Sequence, residues 1–241
     1  MSREGSSTPR PGLTTDRVID AGLALADSEG LDGLSMRTLA QRLGVVPMAL
    51  YKHVANKDDL LDGMVDRVWA EVEAPSADQT WREGMRRRSV SLRRALLRHR
   101  WAVGLMESRL RPGFANLHQH NAMMGCLRRS GFSFRTTVHV TSVLDAYVYG
   151  FALQEKTLPF DTPEESGAVA EQKLDATPPE FAQHFPYLLE VVSELAQAGY
   201  DYDDEFVTGL DLILDAVERA RPDWATAETT PTREPSTAAD S

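Results

Sequence analysis

The chain reads as helical stripes separated by short breaker clusters, with no run of strict apolar–polar alternation to suggest a strand. Thr15-Asp16 can cap a first helix whose apolar stripe is Val18/Ile19, Leu23 and Ala26, and Gly30 ends it. Gly22 falls on that stripe, where a missing side chain lets a neighbouring helix come close. Ser35 opens a short second helix with Leu39, Ala40 and Leu43 apolar and Gly44 as its stop. Pro47 suits the first turn of a third, very short helix ending near His53. Asn56 caps a fourth, with Asp58 and Asp59 in its first turn and Leu60/Leu61, Met64/Val65, Val68/Trp69 and Val72 at helical spacing. Ala74-Pro75-Ser76 closes this unit. Longer helices are expected over 79–98, 102–110, 114–129, 134–156, 180–197 and 203–220, broken at Pro112-Gly113, Gly131, Pro159, Pro178-Pro179 and Gly199. Segment 158–179 carries turn signals and at most one short helix, and its spacing leaves open whether it gates a pocket.

The expected fold is therefore all-α, with a three-helix helix-turn-helix unit over 14–75 and a larger helical bundle over 76–221. Residues 1–13 and 222–241 are polar, Pro-containing and aperiodic, and are expected to be tails.

Composition narrows the class. Of 241 residues 42% are hydrophobic, enough for a sizeable core, and the net charge of −10 argues against a protein that coats nucleic acid indiscriminately. A single cysteine, Cys126, excludes an internal disulfide and a Cys-rich zinc site. Met1–Leu13 has no signal-peptide core, and the least charged stretch, Val138–Gln154, is shorter than the ~20 residues a membrane span needs and contains Asp145. These features point to a soluble, reduced, cytoplasmic protein with no membrane partner.

Against the acidic total, residues 33–57 hold Arg37, Arg42, Lys52 and Lys57 and no acid. This window is also the helix–turn–helix of 36–43 and 47–53 joined by Gly44-Val45-Val46. On a helical wheel Leu50 and Val54 face the core with Val46 flanking them, while Met48, Ala49 and Lys52 face outward and Tyr51 and His53 sit on the shoulders. A short helix of that kind under a positive field can enter a major groove, with Tyr51, His53 and Lys57 reaching phosphates and Asn56 presenting the next helix N-terminus. The same pattern also suits a plain solvated hairpin.

The stretch LSMRTLAQRLGVVPMALYKHVANKDDLLDGM (34–64) resembles the DNA-binding domain of the TetR family of regulators, through L-A-x-x-L-G-V followed by L-Y-x-H-V-x-N-K-x-x-L-L. SLRRALLRHR (91–100), Arg111-Pro112, Gly131-Phe132-Ser133 and GLDLILDAVE (209–218) extend the resemblance to the tetracycline-repressor branch, over about 15–220. It implies a homodimer whose N-terminal domains read a palindromic operator and whose C-terminal domain takes a small-molecule inducer. Arg37, Pro47, Met48, Ala49, Tyr51, Lys52, His53 and Lys57 are the candidate DNA contacts; Arg37 suits a bidentate guanine contact or a phosphate. Val46-Pro47-Met48 lacks the side-chain amide with which tetracycline repressors read a base, so the operator sequence does not transfer.

In the C-terminal part the resemblance places candidate ligand contacts at Arg88 and Leu92, at Met106 or Glu107, at His120, Met123 and Met124, and at Val138, Thr141, Asp145 and Gln154. Met123 and Met124 also suit plain core filling. Asp145 is a carboxylate on an apolar helix with no Lys or Arg between 136 and 155, and so must be paired, protonated or facing a polar cavity. Met106 or Glu107 stands where the branch has a drug-metal-binding histidine, and Gln154 where it has a glutamate; a metal-free organic inducer is therefore expected, and neither metal nor cofactor. His118-Gln119-His120 does not make a metal site, because residues two apart on a helix diverge by about 200°. The stripes Val140, Leu144, Tyr147, Phe151 and Phe206, Leu210, Leu214, Val217 are the expected dimer interface. Arg82–Arg100 holds eight arginines against one glutamate, expected to be mostly a solvated face.

A ligand-responsive repressor is the reading these features favour. A helical-bundle enzyme finds no P-loop, GxGxxG, HExxH or Gly-x-Ser-x-Gly signature here. A regulator-derived dimer without DNA binding leaves the basic window unexplained.

Overall fold

The computed structural model describes residues 12–160, 162–178 and 180–227, in which every regular element is a helix. In order they are α1 (Thr15–Gly33), α2 (Met36–Leu43), α3 (Pro47–Leu50), α4 (Lys57–Ala70), α5 (Trp81–Arg98), α6 (Phe114–Arg129), α7 (Phe134–Lys156), α8 (Pro163–Asp175), α9 (Phe181–His184), α10 (Pro186–Ala198) and α11 (Tyr202–Ala227). No helix among the described residues is long and apolar enough to cross a membrane. The stretch 1–11 of the first expected tail and 228–241 of the second lie outside the described residues, whereas 222–227 continue α11.

The chain packs into two compact units. One contains the residues up to Val72 together with Arg94–Gln119; the other contains Glu73–Arg93 and the residues from His120 onward. A boundary drawn at 74–76 alone thus misses that 94–119 folds with the helix-turn-helix.

In the first unit the caps form as the local chemistry dictates. Ser35 and Thr38 make a reciprocal capping box on α2, and Gly44 ends it at φ 69°, the left-handed region a side chain disfavours. Asn56 Oδ1 accepts from Asp59 N at 2.8 Å, and Asp59 Oδ2 in turn accepts from Ala55 N at 2.9 Å. Gly22 is buried, and a Cβ there would stand 3.1 Å from Met64 Sδ and 3.2 Å from Leu60 Cδ1, so α1 and α4 need that glycine to pack this closely. Leu39, Leu50, Leu60, Met64 and Val68 complete the core.

Segment 94–119 is fastened to this core by polar ties. The Asp66 carboxylate accepts from the Ala115 and Asn116 N–H groups at the start of α6, satisfying two otherwise orphaned donors. Arg109 pairs with Asp62, and His99 stands between Asp27 (2.8 Å) and Glu71 (3.0 Å), while Trp101 Nε1 also donates to Asp27 at 2.7 Å. Residues 102–110, expected as a helix, form successive tight turns instead, with Ala102 N bonded to His99 O and Leu105 N to Ala102 O. Gly104 and Ser108 favour that outcome.

In the second unit α7 packs along α11. Val140 and Leu144 of α7 meet a face of α11 made by Phe206, Leu210, Leu214 and Val217, all buried within one chain. Phe206 stacks on Tyr147 at 5.3 Å and meets Phe151 edge-on at 5.1 Å. Six of the eight residues expected at the dimer interface are thus buried in an intramolecular seam, and Tyr147 and Phe151 are half-buried against Phe206. Left outward are Val143 and Leu153 of α7 and Leu212 of α11, at 49%, 54% and 63% exposure.

Two further expectations change. Pro186, which lacks an N–H, splits the helix expected at 180–197 into α9 and α10, with Phe185 at the break. Segment 158–179 holds α8, thirteen residues capped by Thr162 and laid against α10.

Most arginines of 82–100 are solvent-accessible, as expected, and Arg88 and Arg93 are the buried exceptions. Arg82 and Arg86 pair with Asp211, Arg87 with Glu73, and Arg98 with Glu71. Arg93, 5% exposed in its side chain, holds Glu155 through two bonds and Asp203 at 2.7 Å, with the Phe206 ring 4.9 Å from its guanidinium carbon.

Burial pushes the Glu71 carboxyl up, but hydrogen bonds and charge from Arg98 and His99 outweigh it and hold the group below its ordinary range. A depressed native value means the linked stability is fully present above the ordinary carboxylate pKa and is lost as pH falls through the native one. Glu71→Gln should therefore melt lower than the parent at about pH 7, and the gap should close by about pH 3 in thermal melts across that range. A gap that stays constant with pH would refute the linkage.

Candidate nucleic-acid interface and ligand region

The helix-turn-helix presents its candidates unevenly. Leu50 and Val54 are buried as the wheel requires, and the turn and α3 thrust Val46 and Met48 into solvent at 68% and 72% exposure. Val46 thus faces outward rather than flanking the core, because it stands outside α3 as its N-cap in extended conformation. Arg37, Pro47, Lys52 and Lys57 are exposed, Tyr51 is 46% exposed, and Ala49 is half-buried. His53 sits deeper: its carbonyl accepts from Thr15 Oγ1, and it lines a crevice with Ile19, Val54 and Asp59. Asn56 and Asp59 engage their own backbone at the start of α4, placing a carboxylate where a phosphate was expected.

The result is an exposed apolar tip, Val46 and Met48, in a window whose charged side chains, Arg37, Arg42, Lys52 and Lys57, are all basic and exposed. Among the described residues no side chain of the first unit buries that tip. Thymine methyls and phosphates together are the surface such a patch complements.

The candidate ligand residues divide. Arg88 and Asp145 meet at 2.9 Å, the guanidinium 1% and the carboxylate 17% exposed. Leu92 lies one turn from Arg88 on α5, Thr141 one turn from Asp145 on α7, and both are buried, as is Met123 on α6. His120 is half-buried. Met124, Val138, Glu107 and Gln154 are exposed, and Met106, though buried, belongs to the first unit. Asp145 is thus paired, and its partner comes from another helix, which neighbours in sequence could not reveal. The Thr141 hydroxyl donates to Val138 O at 2.9 Å. Among the described residues no group of three or more His, Cys, Asp and Glu is arranged to hold a metal.

Sequence reasoning missed a cavity of about 270 Å³ in the second unit, lined from α8, α10 and the segments flanking them. None of the candidate ligand residues lines it. No single stretch of sequence marks it, since Phe160 stands forty residues before Tyr200 and Tyr202.

Residues 74–221 match the family model described as the tetracyclin repressor-like C-terminal domain, and residues 18–64 match that of bacterial regulatory proteins of the tetR family. The chain belongs to the TetR family, in its tetracycline-repressor-like branch. Among TetR-family relatives, the HTH-type transcriptional repressor DrrR1 of Streptomyces coeruleorubidus is 34% identical over 231 residues, covering 90% of this chain and 81% of that protein. The class A tetracycline repressor from transposon 1721 of Escherichia coli is 32% identical over 87% of this chain and 92% of its own. The crystal structure of the TetR-family protein ActR of Streptomyces coelicolor in complex with actinorhodin superposes with TM-score 0.72 at 32% identity, covering 88% and 98% of the two chains.

Removing one partner of a buried ion pair withdraws compensating charge from the other. Asp145→Asn should lower the unfolding free energy by about 3 kcal/mol, while Ser142→Ala on the exposed side of α7 changes it by less than about 0.5 kcal/mol, both read by urea denaturation. An Asp145→Asn protein as stable as its parent would show that the pair carries no structural load.

Proposed function

We propose that this TetR-family chain is a homodimeric repressor that binds a palindromic operator and is released by a small, metal-free organic inducer. The carrying observation is the exposed apolar tip of the helix-turn-helix, Val46 and Met48, in a window, 33–57, that holds four basic side chains and no acid on a chain of net charge −10. Solubility alone gives no reason to expose that tip, whereas a major groove does. Relatives bearing the names of repressors support the sign of regulation, and the ActR complex supports an organic ligand. Methionine or glutamate at 106–107 and glutamine at 154 favour a ligand that carries no metal. The same relatives favour a regulator over an enzyme, and action in the cytoplasm follows from that role.

Selection of bound DNA from a random pool should return a palindrome with half-sites about 34–36 Å apart or a multiple of that. Lys57→Ala should weaken all sequences alike and reduce the salt slope by about one, whereas Arg37→Ala should cost about 1–3 kcal/mol and relax preference at one base position. Identical effects on specificity would show the assignment to be wrong.

Dimerisation is assigned to the outward face of α7 and α11, where Val143, Leu153 and Leu212 stand exposed. Leu212→Arg should give monomers in sedimentation velocity and lose operator binding while keeping its helical spectrum. A Leu212→Arg dimer of undiminished affinity would place the interface elsewhere.

A further inference from the structure

We propose that the cavity formed by α8, α10 and their flanking segments is a second small-molecule site, separate from the region around Asp145, and that it takes a small flat aromatic anion. The inference does not depend on the repressor reading. At about 270 Å³ the cavity lies just below the roughly 300 Å³ at which ordinary ligand pockets begin, so its occupant is small. Its walls are largely apolar, from Val169, Leu195 and Phe160 among others. It opens to solvent on one side, so an occupant can enter without the fold opening.

The shape and chemistry of the lining select the ligand. Tyr202 stands edge-on to Tyr200 at 4.5 Å and tilted to Phe160 at 5.8 Å, giving aromatic surfaces against which a planar ring packs. The polar lining is Ser166, Lys173, Tyr200 and Tyr202, without a carboxylate. Ser166 is already used: its hydroxyl donates to Pro163 O and accepts from Tyr200 N, both at 2.7 Å, which fixes the backbone on either side of the cavity. Among the described residues the Lys173 ammonium is in no ion pair and the Tyr202 hydroxyl in no hydrogen bond, so two donors of the lining remain available to an occupant. Burial raises both tyrosine pKa values, with Glu205 adding to the effect at Tyr200 and Glu155 at Tyr202, so both phenols stay protonated. Neither glutamate belongs to the lining, and Glu155 is neutralised by Arg93. A ligand offering acceptors and negative charge satisfies these donors; a cation would meet an ammonium and two O–H groups.

The test is isothermal titration calorimetry of the full chain with 2-naphthoate, and with 2-naphthylmethylammonium as the cation of matched shape. The naphthoate should bind with a dissociation constant on the order of 0.1 mM, the usual yield of so small a ligand. Lys173→Ala, at an exposed position that leaves the fold intact, should weaken it about tenfold, and Tyr202→Phe about fivefold. Val169→Trp should abolish binding while keeping the helical spectrum. No naphthoate binding up to several millimolar, equal binding of the ammonium, or an affinity unchanged by Lys173→Ala and Val169→Trp would each overturn the proposal.

Discussion

Everything in the C-terminal bundle is arranged around a buried guanidinium. Arg93 leaves α5 into the seam where α7 meets α11, and its charge is tolerable there only because Glu155 on α7 and Asp203 on α11 both reach it. Burial alone would lower its pKa; the hydrogen bonds and charges of the two carboxylates more than reverse that. Phe151 and Phe206 close over the guanidinium with their ring faces, at 5.4 and 4.9 Å. Such a cluster contributes little net free energy compared with an apolar core of the same shape. Its effect is on specificity: one residue from each of three helices must be in register before the charge is satisfied. The stacking of Phe206 on Tyr147 and the start of α11 at Tyr202 follow from that register.

Arg88 and Asp145 repeat the device nearly three turns of α7 away, with the same α5–α7 pairing. Two buried arginines of α5 therefore fix how α7 lies along it. Arg82 and Arg86 do the same job toward α11 at the surface, through Asp211, where solvent screens the pairs and each contributes little.

The helix-turn-helix unit is held by a different logic. Its apolar core is supplied largely by α1 to α4, and Asp66, Asp62, Glu71 and Asp27 all pair with residues of 98–116. Each is a donor–acceptor pair with geometry to satisfy, so the DNA-reading surface and segment 94–119 are built as one body. A repressor needs that: groove contacts positioned by a rigid support are precise, and a change imposed on the support is carried to them.

Most helix positions, their caps and the basic window of the helix-turn-helix were legible in the sequence because they are local. Ser35, Gly44, Pro47 and Asn56 act through hydrogen bonds and dihedral angles within a few residues, and the basic window at 33–57 needs no partner to be seen. The motif L-A-x-x-L-G-V with L-Y-x-H-V gave the family for the same reason, and the family models agree. Which side of a helix meets which neighbour is not local. The stripe of Val140 and Leu144 is equally suited to a second subunit or to α11, and only the path of the chain assigns it to α11. Asp145 has no partner on its own helix because that partner, Arg88, is 57 residues away on α5. The burial of Arg88 and Arg93 within an otherwise solvent-accessible arginine run depends on carboxylates from other helices. The cavity beside Tyr202 has no sequence signature, since a hole is defined by what fails to meet in three dimensions. Pairing of charges and placement of empty space are properties of packing, and packing is decided only when all the helices are in place.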